Sequence, residues 1–228
     1  AMHFKEGKEL PCTFEGAHCP MEVVEHEFVY KYIQSSDVVL ELGARYGTTT
    51  CAIACTLKNS GKVVAVEPDR GVWEYLRENV KSHSCASTVF FGAVSDVPLA
   101  VLDQGYGTRT LQPLNATKEV ITASSSHMML HQLHKVMDTQ FTVLLIDCEG
   151  CITHLLPDNL QRLSHLLRHV RVILLEGDMS NLAPDCFIDC VDYDIWKKRF
   201  MEIGFAVVEE TTDPNLRFIK HYAFVRKE

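Results

Sequence analysis

The stretch 38–50, VVLELGARYGTTT, has the order of a buried strand, a glycine turn and the start of a helix. Apolar residues lead into Glu41, Gly43 and Gly47 follow, and a threonine triplet opens a segment with helical spacing. Glycines at such a turn let the backbone approach a ligand, and a carboxylate at the strand end can bind a polar group of that ligand. The stretch therefore predicts a nucleotide-binding corner.

Composition and charge narrow the class of protein. The chain has 228 residues, of which 46% are hydrophobic and 23% are charged, and this suits one globular α/β domain. The formal net charge of −8 argues against general binding to nucleic acid or to an anionic membrane. No apolar run approaches the ~20 residues that span a bilayer. We expect a cytoplasmic protein that binds neither nucleic acid nor a membrane.

Strand-like and helix-like segments alternate along the chain. The predicted strands are 38–42, 62–66, 87–91, 141–147, 170–175, 205–210 and 218–226, and the predicted helices are 21–33, 48–57, 72–81, 127–137, 152–167 and 193–203. The last two strands have no helix between them and should pair antiparallel. The pattern predicts an α/β fold: a doubly wound, seven-stranded, mostly parallel sheet with an antiparallel terminal hairpin.

The same pattern divides the chain into an N-terminal arm with a helix, 1–36, and a ligand-binding domain, 37–228. The segment 98–126 has weak periodicity, with short strands expected at 99–102 and 119–123, and such a long irregular segment is a candidate substrate lid.

Acidic residues follow three of the predicted strands. Glu67 comes 24 residues after Gly43, where a Rossmann-like unit binds ribose hydroxyls, and this order favours a ligand site over a chance acid at a strand end. Asp147 and Glu149 follow the fourth strand and could orient or deprotonate a hydroxyl, although Glu149 could simply pair with a helix N-terminus. With Asp147, the later acids Glu176 and Asp178 could bind Mg²⁺, the alternative being ordinary loop acids.

Cysteine and histidine patterns are less specific. The nine cysteines favour free, mostly buried thiols in a reducing compartment, and we prefer this to a zinc site at Cys148-x-x-Cys151 or Cys186-x-x-x-Cys190. His127 and His131 have metal-ligand spacing on a predicted helix but no matching third ligand. His154 lies close enough to the acidic strand end to be a candidate base.

Three blocks of this sequence resemble the FkbM-type methyltransferases, which depend on S-adenosylmethionine (SAM). The blocks are LELGARYGTT at 40–49, VEP at 66–68 and IDCEG at 146–150, within a likeness that covers roughly residues 36–210. The resemblance implies a SAM cofactor and methylation of hydroxyl groups, often on sugars or polyketide-type metabolites. Two positions depart from the family pattern, which usually has Asn at Arg45 and Lys at Leu145.

The resemblance also implies roles for individual residues. Glu41 would bind the methionine end of SAM and Glu67 the ribose, and Ser95 and Asp96 would lie at the adenine edge. The expected cofactor-binding set is completed by Gly43, Ala44, Arg45, Gly47, Thr48, Pro68 and Asp147.

The expected activity is transfer of a methyl group from SAM to a hydroxyl of a sugar, a glycan or a glycosylated small molecule. Asp147 is the candidate general base, supported by Glu149 and with His154 as a further candidate, and Mg²⁺ is a candidate cofactor. Two alternatives stay open. A nucleotide-dependent oxidoreductase is disfavoured because Arg45 stands where the middle glycine of its motif belongs. A catalytically inactive SAM- or nucleotide-binding module is conceivable because of Leu145.

Overall fold

The structure of the chain is a computed structural model. It describes residues 2–3, 9–10, 22–97, 99–101, 108–110, 122–123, 127–148, 150–177, 191–214 and 217–227.

Seven strands form the central sheet. They are β1 Val39–Leu42, β2 Val63–Glu67, β3 Thr88–Phe91, β4 Val143–Ile146, β5 Val172–Gly177, β6 Phe205–Thr212 and β7 Lys220–Arg226. Their order across the sheet is β6-β7-β5-β4-β1-β2-β3. Strands β1 to β5 are parallel to one another, and β7 lies antiparallel between β5 and β6. The predicted seven-stranded sheet with its antiparallel hairpin is confirmed.

Helices cover both faces of the sheet. They are α1 Val23–Tyr32, α2 Thr48–Thr56, α3 Trp73–Ser82, α4 Leu130–Val136, α5 Ile152–Leu155, α6 Leu160–Leu166 and α7 Tyr193–Glu202. Apolar residues of α1 and α2 pack on one face, and those of α4 to α7 pack on the other. Burial on both faces explains why β1, β2 and β4 carry almost continuous apolar runs. None of the helices among the described residues is long and apolar enough to cross a membrane.

The chain order of the strands reverses between β1 and β4. Ligands of open α/β sheets bind at such a switch point, beyond the carboxyl ends of the strands. Because side chains alternate between the faces of a strand, Glu41, Glu176 and His221 lie on the α1–α2 face together with Val39, Leu174 and Ala223.

One local prediction is wrong. The predicted helix 127–137 begins late, because His127–Met128 is a short strand that pairs with Ala93–Val94. The side chain of Gln132 accepts a 3.0 Å hydrogen bond from the Met129 N–H and so marks the true helix start.

The N-terminal arm contains an antiparallel strand pair, Met2–His3 with Glu9–Leu10. In the segment 98–126, the structure has strands Leu99–Val101, Thr108–Thr110 and Thr122–Ala123.

Cysteine pairing also differs from the expectation of free thiols. Cys51 of α2 is bonded to Cys85, and Cys148 to Cys151, whereas the exposed Cys55 is free. The argument for a reducing compartment therefore loses its support, since disulfides persist in oxidising ones.

Reduction is expected to destabilise the fold through Cys51–Cys85. This bond joins residues 34 positions apart, and closing such a loop in the unfolded chain is worth roughly 3–4 kcal/mol. The Cys148–Cys151 bond spans only 3 positions and should contribute less. Urea unfolding with and without a phosphine reductant measures the loss, and oxidised Cys51→Ala/Cys85→Ala should show most of it, since this variant keeps only the Cys148–Cys151 bond. Equal unfolding free energies of oxidised and reduced protein would contradict this account.

Candidate functional site

The glycine corner after β1 is closed against the end of β4. The N–H groups of Gly43 and Ala44 both donate to the carbonyl of Val66 at 3.0 Å, which fixes the turn on β2. Gly43 has a φ of +92°, and a Cβ at this position would lie 1.5 Å from the carbonyl oxygen of Asp147. The glycine corner and the IDCEG block at 146–150 therefore contact each other through their backbones, and this contact leaves no room for a side chain at position 43.

Gly47 shapes the other side of the corner. It has a φ of +85° and ends the turn directly before α2, where an added Cβ would lie 2.9 Å from Leu76 of α3. The buried Asn79 of α3 donates a 2.9 Å hydrogen bond to the Tyr46 carbonyl. Helix α3 thus packs against the glycine corner and supports the turn between β1 and α2.

Glu41 is the most buried acid of the corner. Its Oε2 accepts a 2.6 Å hydrogen bond from the Thr50 hydroxyl, and its Oε1 is buried with no hydrogen-bond partner among the described residues. Burial raises the pKa of Glu41 to about 8, and the charges of Glu22 and Glu67 add to the shift. An acceptor kept from water in this way suits a cationic or hydrogen-bond-donating group of a ligand.

Glu67 ends β2 beside the corner, and the partly buried Pro68 follows it. Its two oxygens accept hydrogen bonds from the N–H groups of Arg45 at 2.7 Å and Asp69 at 2.6 Å. Burial raises the pKa of Glu67 to about 7, and these two hydrogen bonds oppose the shift. Each carboxylate oxygen has a second lone pair, so Glu67 can still accept from ligand hydroxyls.

Arg45 contributes its backbone to the corner. It has a φ of +41°, which aims its N–H at Glu67. Its guanidinium lies 4.0 Å from Asp69 and over the ring of Tyr46 at 5.1 Å.

A buried polar layer between α1 and α2 was missed from the sequence. Glu22 accepts hydrogen bonds from the hydroxyls of Thr48 and Thr49, the second at 2.6 Å, and Glu25 accepts from Thr49 at 3.2 Å. His26 lies 3.2 Å from the same Thr49 hydroxyl, and burial lowers the pKa of His26 although Glu22 opposes this. The threonine triplet was a visible signal, but nothing in the helical spacing of α1 showed that its polar residues face inward.

The acidic block after β4 stands at the switch point. The Asp147 N–H donates to the Leu42 carbonyl at 3.0 Å, which continues the pairing of β4 with β1, and the Asp147 side chain is partly exposed. Glu149 lies outside the described residues.

Ser95, Asp96 and His154 converge at a second location. The buried Ser95 hydroxyl donates to the Val97 carbonyl and accepts from the Val97 N–H, so only its second acceptor lone pair is left for a contact with adenine. The Asp96 N–H donates to the His154 carbonyl at 3.0 Å. Both residues line a groove of about 640 Å³, the size of many small-molecule sites, whose walls include Leu130, His131, Leu155, Pro157, Arg162 and His165.

The acids proposed for Mg²⁺ have other neighbours. Glu176 pairs in register with His221 of β7, and its Oε2 lies 3.5 Å from Nδ1 of that ring. Glu25 of α1 completes a group that could hold a metal ion. Asp178 lies outside the described residues.

Comparisons with known proteins identify the fold. No protein-family model matches the chain, and no curated protein matches it. A solved structure that it resembles is magnesium protoporphyrin IX methyltransferase from Synechocystis PCC 6803 with bound SAM. The TM-score is 0.52 and the identity 11%, over 90% of this chain and 77% of that one.

Two fibrillarins are weaker matches. Fibrillarin from Aeropyrum pernix, in complex with SAM, gives a TM-score of 0.49 at 14% identity over 84% of this chain and 67% of that one. The Methanococcus jannaschii fibrillarin, a pre-rRNA processing protein, gives 0.47 at 14% identity over 85% and 67%. At such identities the likeness is one of fold alone.

Proposed function

We propose that this chain is a SAM-dependent methyltransferase that transfers a methyl group to a hydroxyl of a sugar, a glycan or a glycosylated small molecule. The observation that carries the proposal is the pair of buried carboxylates, Glu41 and Glu67, on either side of a glycine corner at the switch point of the sheet. The shared fold with a methyltransferase that binds SAM supports the cofactor. The acceptor class rests on the FkbM resemblance.

The residues of the corner fit SAM by their chemistry. Glu41 offers a buried oxygen for the methionine ammonium, and Glu67 offers two oxygens for the ribose hydroxyls. The backbone from Gly43 to Thr48 forms the wall, and Asp96, which lines the groove, offers an acceptor for the adenine edge.

SAM, when bound, supplies a strongly electrophilic methyl group on its sulfonium. The chain must then align the acceptor oxygen, exclude water and take the hydroxyl proton. Asp147 is the candidate for the proton, because its partly exposed carboxylate follows the strand that abuts Gly43. Glu149 and His154 are further candidates to assist proton removal, and Mg²⁺ is a candidate cofactor to be tested in the activity assay.

SAM is expected to raise the melting temperature of the chain, and Glu67→Ala is expected to remove this effect. Losing two hydrogen bonds to a charged group should weaken binding roughly 10- to 100-fold, a change that isothermal calorimetry measures directly. Glu74→Ala, at an exposed position of α3, is the matched control and should bind SAM normally.

Glu67→Ala also leaves the N–H groups of Arg45 and Asp69 without an acceptor, so its folding must be checked by circular dichroism. Glu67→Gln keeps one acceptor oxygen and should show an intermediate affinity. If the folded parent chain binds neither SAM nor S-adenosylhomocysteine, the proposal fails.

The alternatives are separated by two further assays. A nucleotide-dependent oxidoreductase would bind NADH, yet the Arg45 N–H, at the position of the motif's middle glycine, is already bonded to Glu67. A fluorescence titration with NADH is expected to show no binding. A binding module would retain SAM affinity but release no S-adenosylhomocysteine with a panel of sugars, with or without Mg²⁺, whereas an enzyme would release it with its acceptor.

A further inference from the structure

An imidazole surrounded by carboxylates lies at the β5–β7 edge of the sheet. His221 begins this group on β7, facing Glu176 of β5, and Glu25 approaches from α1. Asp213, in the turn after β6, lies on the other side of the ring, with its Oδ2 3.7 Å from His221 Nε2. Glu25 and His221 are only 5% and 3% exposed, which makes this a buried site rather than a solvated acidic surface.

The distances from the His221 ring to Glu176 and Asp213, 3.5 and 3.7 Å, are longer than ordinary hydrogen bonds. Glu176 Oε2 lies 3.5 Å from His221 Nδ1, and Nε2 of the same ring is buried with no hydrogen-bond partner among the described residues. Two ligands that each lie ~2.1 Å from a tetrahedral ion are separated by about 3.4 Å, so the observed gap is the one an ion would bridge.

The third ligand and the available space agree with an ion. Ligand atoms of Glu25, Glu176 and His221 all lie within 4.8 Å of one another, so the three side chains can converge on one ion once it draws them closer. A cavity of about 10 Å³, lined by Glu25 and His221 and otherwise mostly by leucines, lies beside them. That volume is about what one water molecule or one ion requires.

We propose that Glu25, Glu176 and His221 bind one divalent transition-metal ion of the Zn²⁺ or Mn²⁺ type. His221 would coordinate through Nδ1, and Asp213 would hold the ring by accepting from Nε2–H. A carboxylate on the far nitrogen is the usual partner of a metal-binding histidine. The imidazole ligand favours these ions over Mg²⁺ and Ca²⁺, which prefer oxygen alone.

Such an ion would join three elements that are distant in the chain. It would tie α1 to β5 and β7, and Glu25 already accepts from Thr49 at the start of α2. The site is therefore expected to stabilise the position of α1 against the glycine corner. It is separate from Glu41 and Glu67, so it stands whether or not the chain binds SAM.

Direct binding to the full, untagged chain tests the site. After dialysis against a chelator, calorimetry with ZnCl₂ or MnCl₂ should show one equivalent bound, and the metal should raise the melting temperature. His221→Gln and Glu176→Gln should each weaken binding at least 100-fold. His169→Gln, at an exposed position, removes an imidazole elsewhere and should bind like the parent.

A second variant keeps the test decisive if His221→Gln does not fold. Asp213→Asn leaves all three ligands in place and should weaken binding about 10- to 100-fold by releasing the ring. The visible absorption of Co²⁺ in the same chain should show nitrogen and oxygen coordination and should change in Glu25→Gln. No stoichiometric binding of either metal, or binding that survives both His221→Gln and Glu176→Gln, would overturn the proposal.

Discussion

Gly43→Ala is expected to destabilise the protein by more than about 4 kcal/mol, at the extreme of single substitutions. The new Cβ would lie 1.5 Å from the Asp147 carbonyl oxygen, and both partners are backbone. Neither can move cheaply, because the Gly43 N–H is bonded to Val66 and the Asp147 N–H to Leu42. The ends of β1 and β4 would have to separate, and SAM binding should be lost with them.

Gly61→Ala is the matched control, because it separates steric contact from backbone strain. Gly61 also has a positive φ, +74°, but an added Cβ would meet nothing within 4 Å. Its substitution should cost only the left-handed strain, about 1–2 kcal/mol. Urea unfolding of the two variants compares the free energies directly. If both lose the same amount, the close approach of the corner to β4 is not what requires glycine at position 43.

The parts of this fold that the sequence predicted have local signals. The glycine corner and the apolar strands show in residue spacing, and the terminal hairpin shows in the missing helix before β7. The start of α4 had a weaker signal, the Gln132 side chain that reaches back to Met129. Helical periodicity outweighed this signal in the prediction.

What the sequence did not show depends on contacts between distant segments. Glu25, Glu176 and His221 lie on α1, β5 and β7, and only the strand order brings them together. The pairing of Cys51 with Cys85 is of the same kind, since spacing alone does not determine connectivity.

The register between β4 and β1 shows what surrounds Leu145, one of the two residues that depart from the FkbM pattern. Leu145 of β4 lies directly beside Glu41 of β1, at the position where the family usually has lysine. This chain therefore places a buried leucine next to its buried carboxylate. The raised pKa of Glu41 has its main cause in that burial.

Glu41→Gln is expected to stabilise the protein at pH 9 and to change it little at pH 5. The pKa of Glu41 is raised from 4.5 to about 8 by burial, so the folded chain keeps a proton that the unfolded chain releases. The contribution of Glu41 to the free energy of unfolding is therefore fully present below pH 4.5. It is lost as pH rises through 8, by roughly 3–5 kcal/mol in total. Glutamine cannot ionise and escapes this loss, and its amide oxygen can still accept from Thr50.

Urea unfolding from pH 5 to pH 9 measures the difference between the variant and the parent. Glu67, whose pKa is raised to about 7, lowers stability over the same range in both proteins, and only its repulsion of Glu41 is left in the difference, as part of the Glu41 shift. Glu27→Gln, exposed on α1, removes a charge elsewhere and should run parallel to the parent. A difference that stays constant from pH 5 to pH 9 would show that Glu41 ionises normally.

Saturating SAM connects this prediction to the proposed function. An ammonium group beside Glu41 favours the ionised carboxylate and should lower its pKa, so the cofactor should restore parent stability most strongly above pH 7. Glu41→Gln should lack the additional stabilisation by SAM above pH 7, but it should keep the stabilisation that comes from SAM binding to Glu67. If SAM stabilises the parent and Glu41→Gln equally at every pH, the cofactor binds at the corner without using the buried oxygen of Glu41.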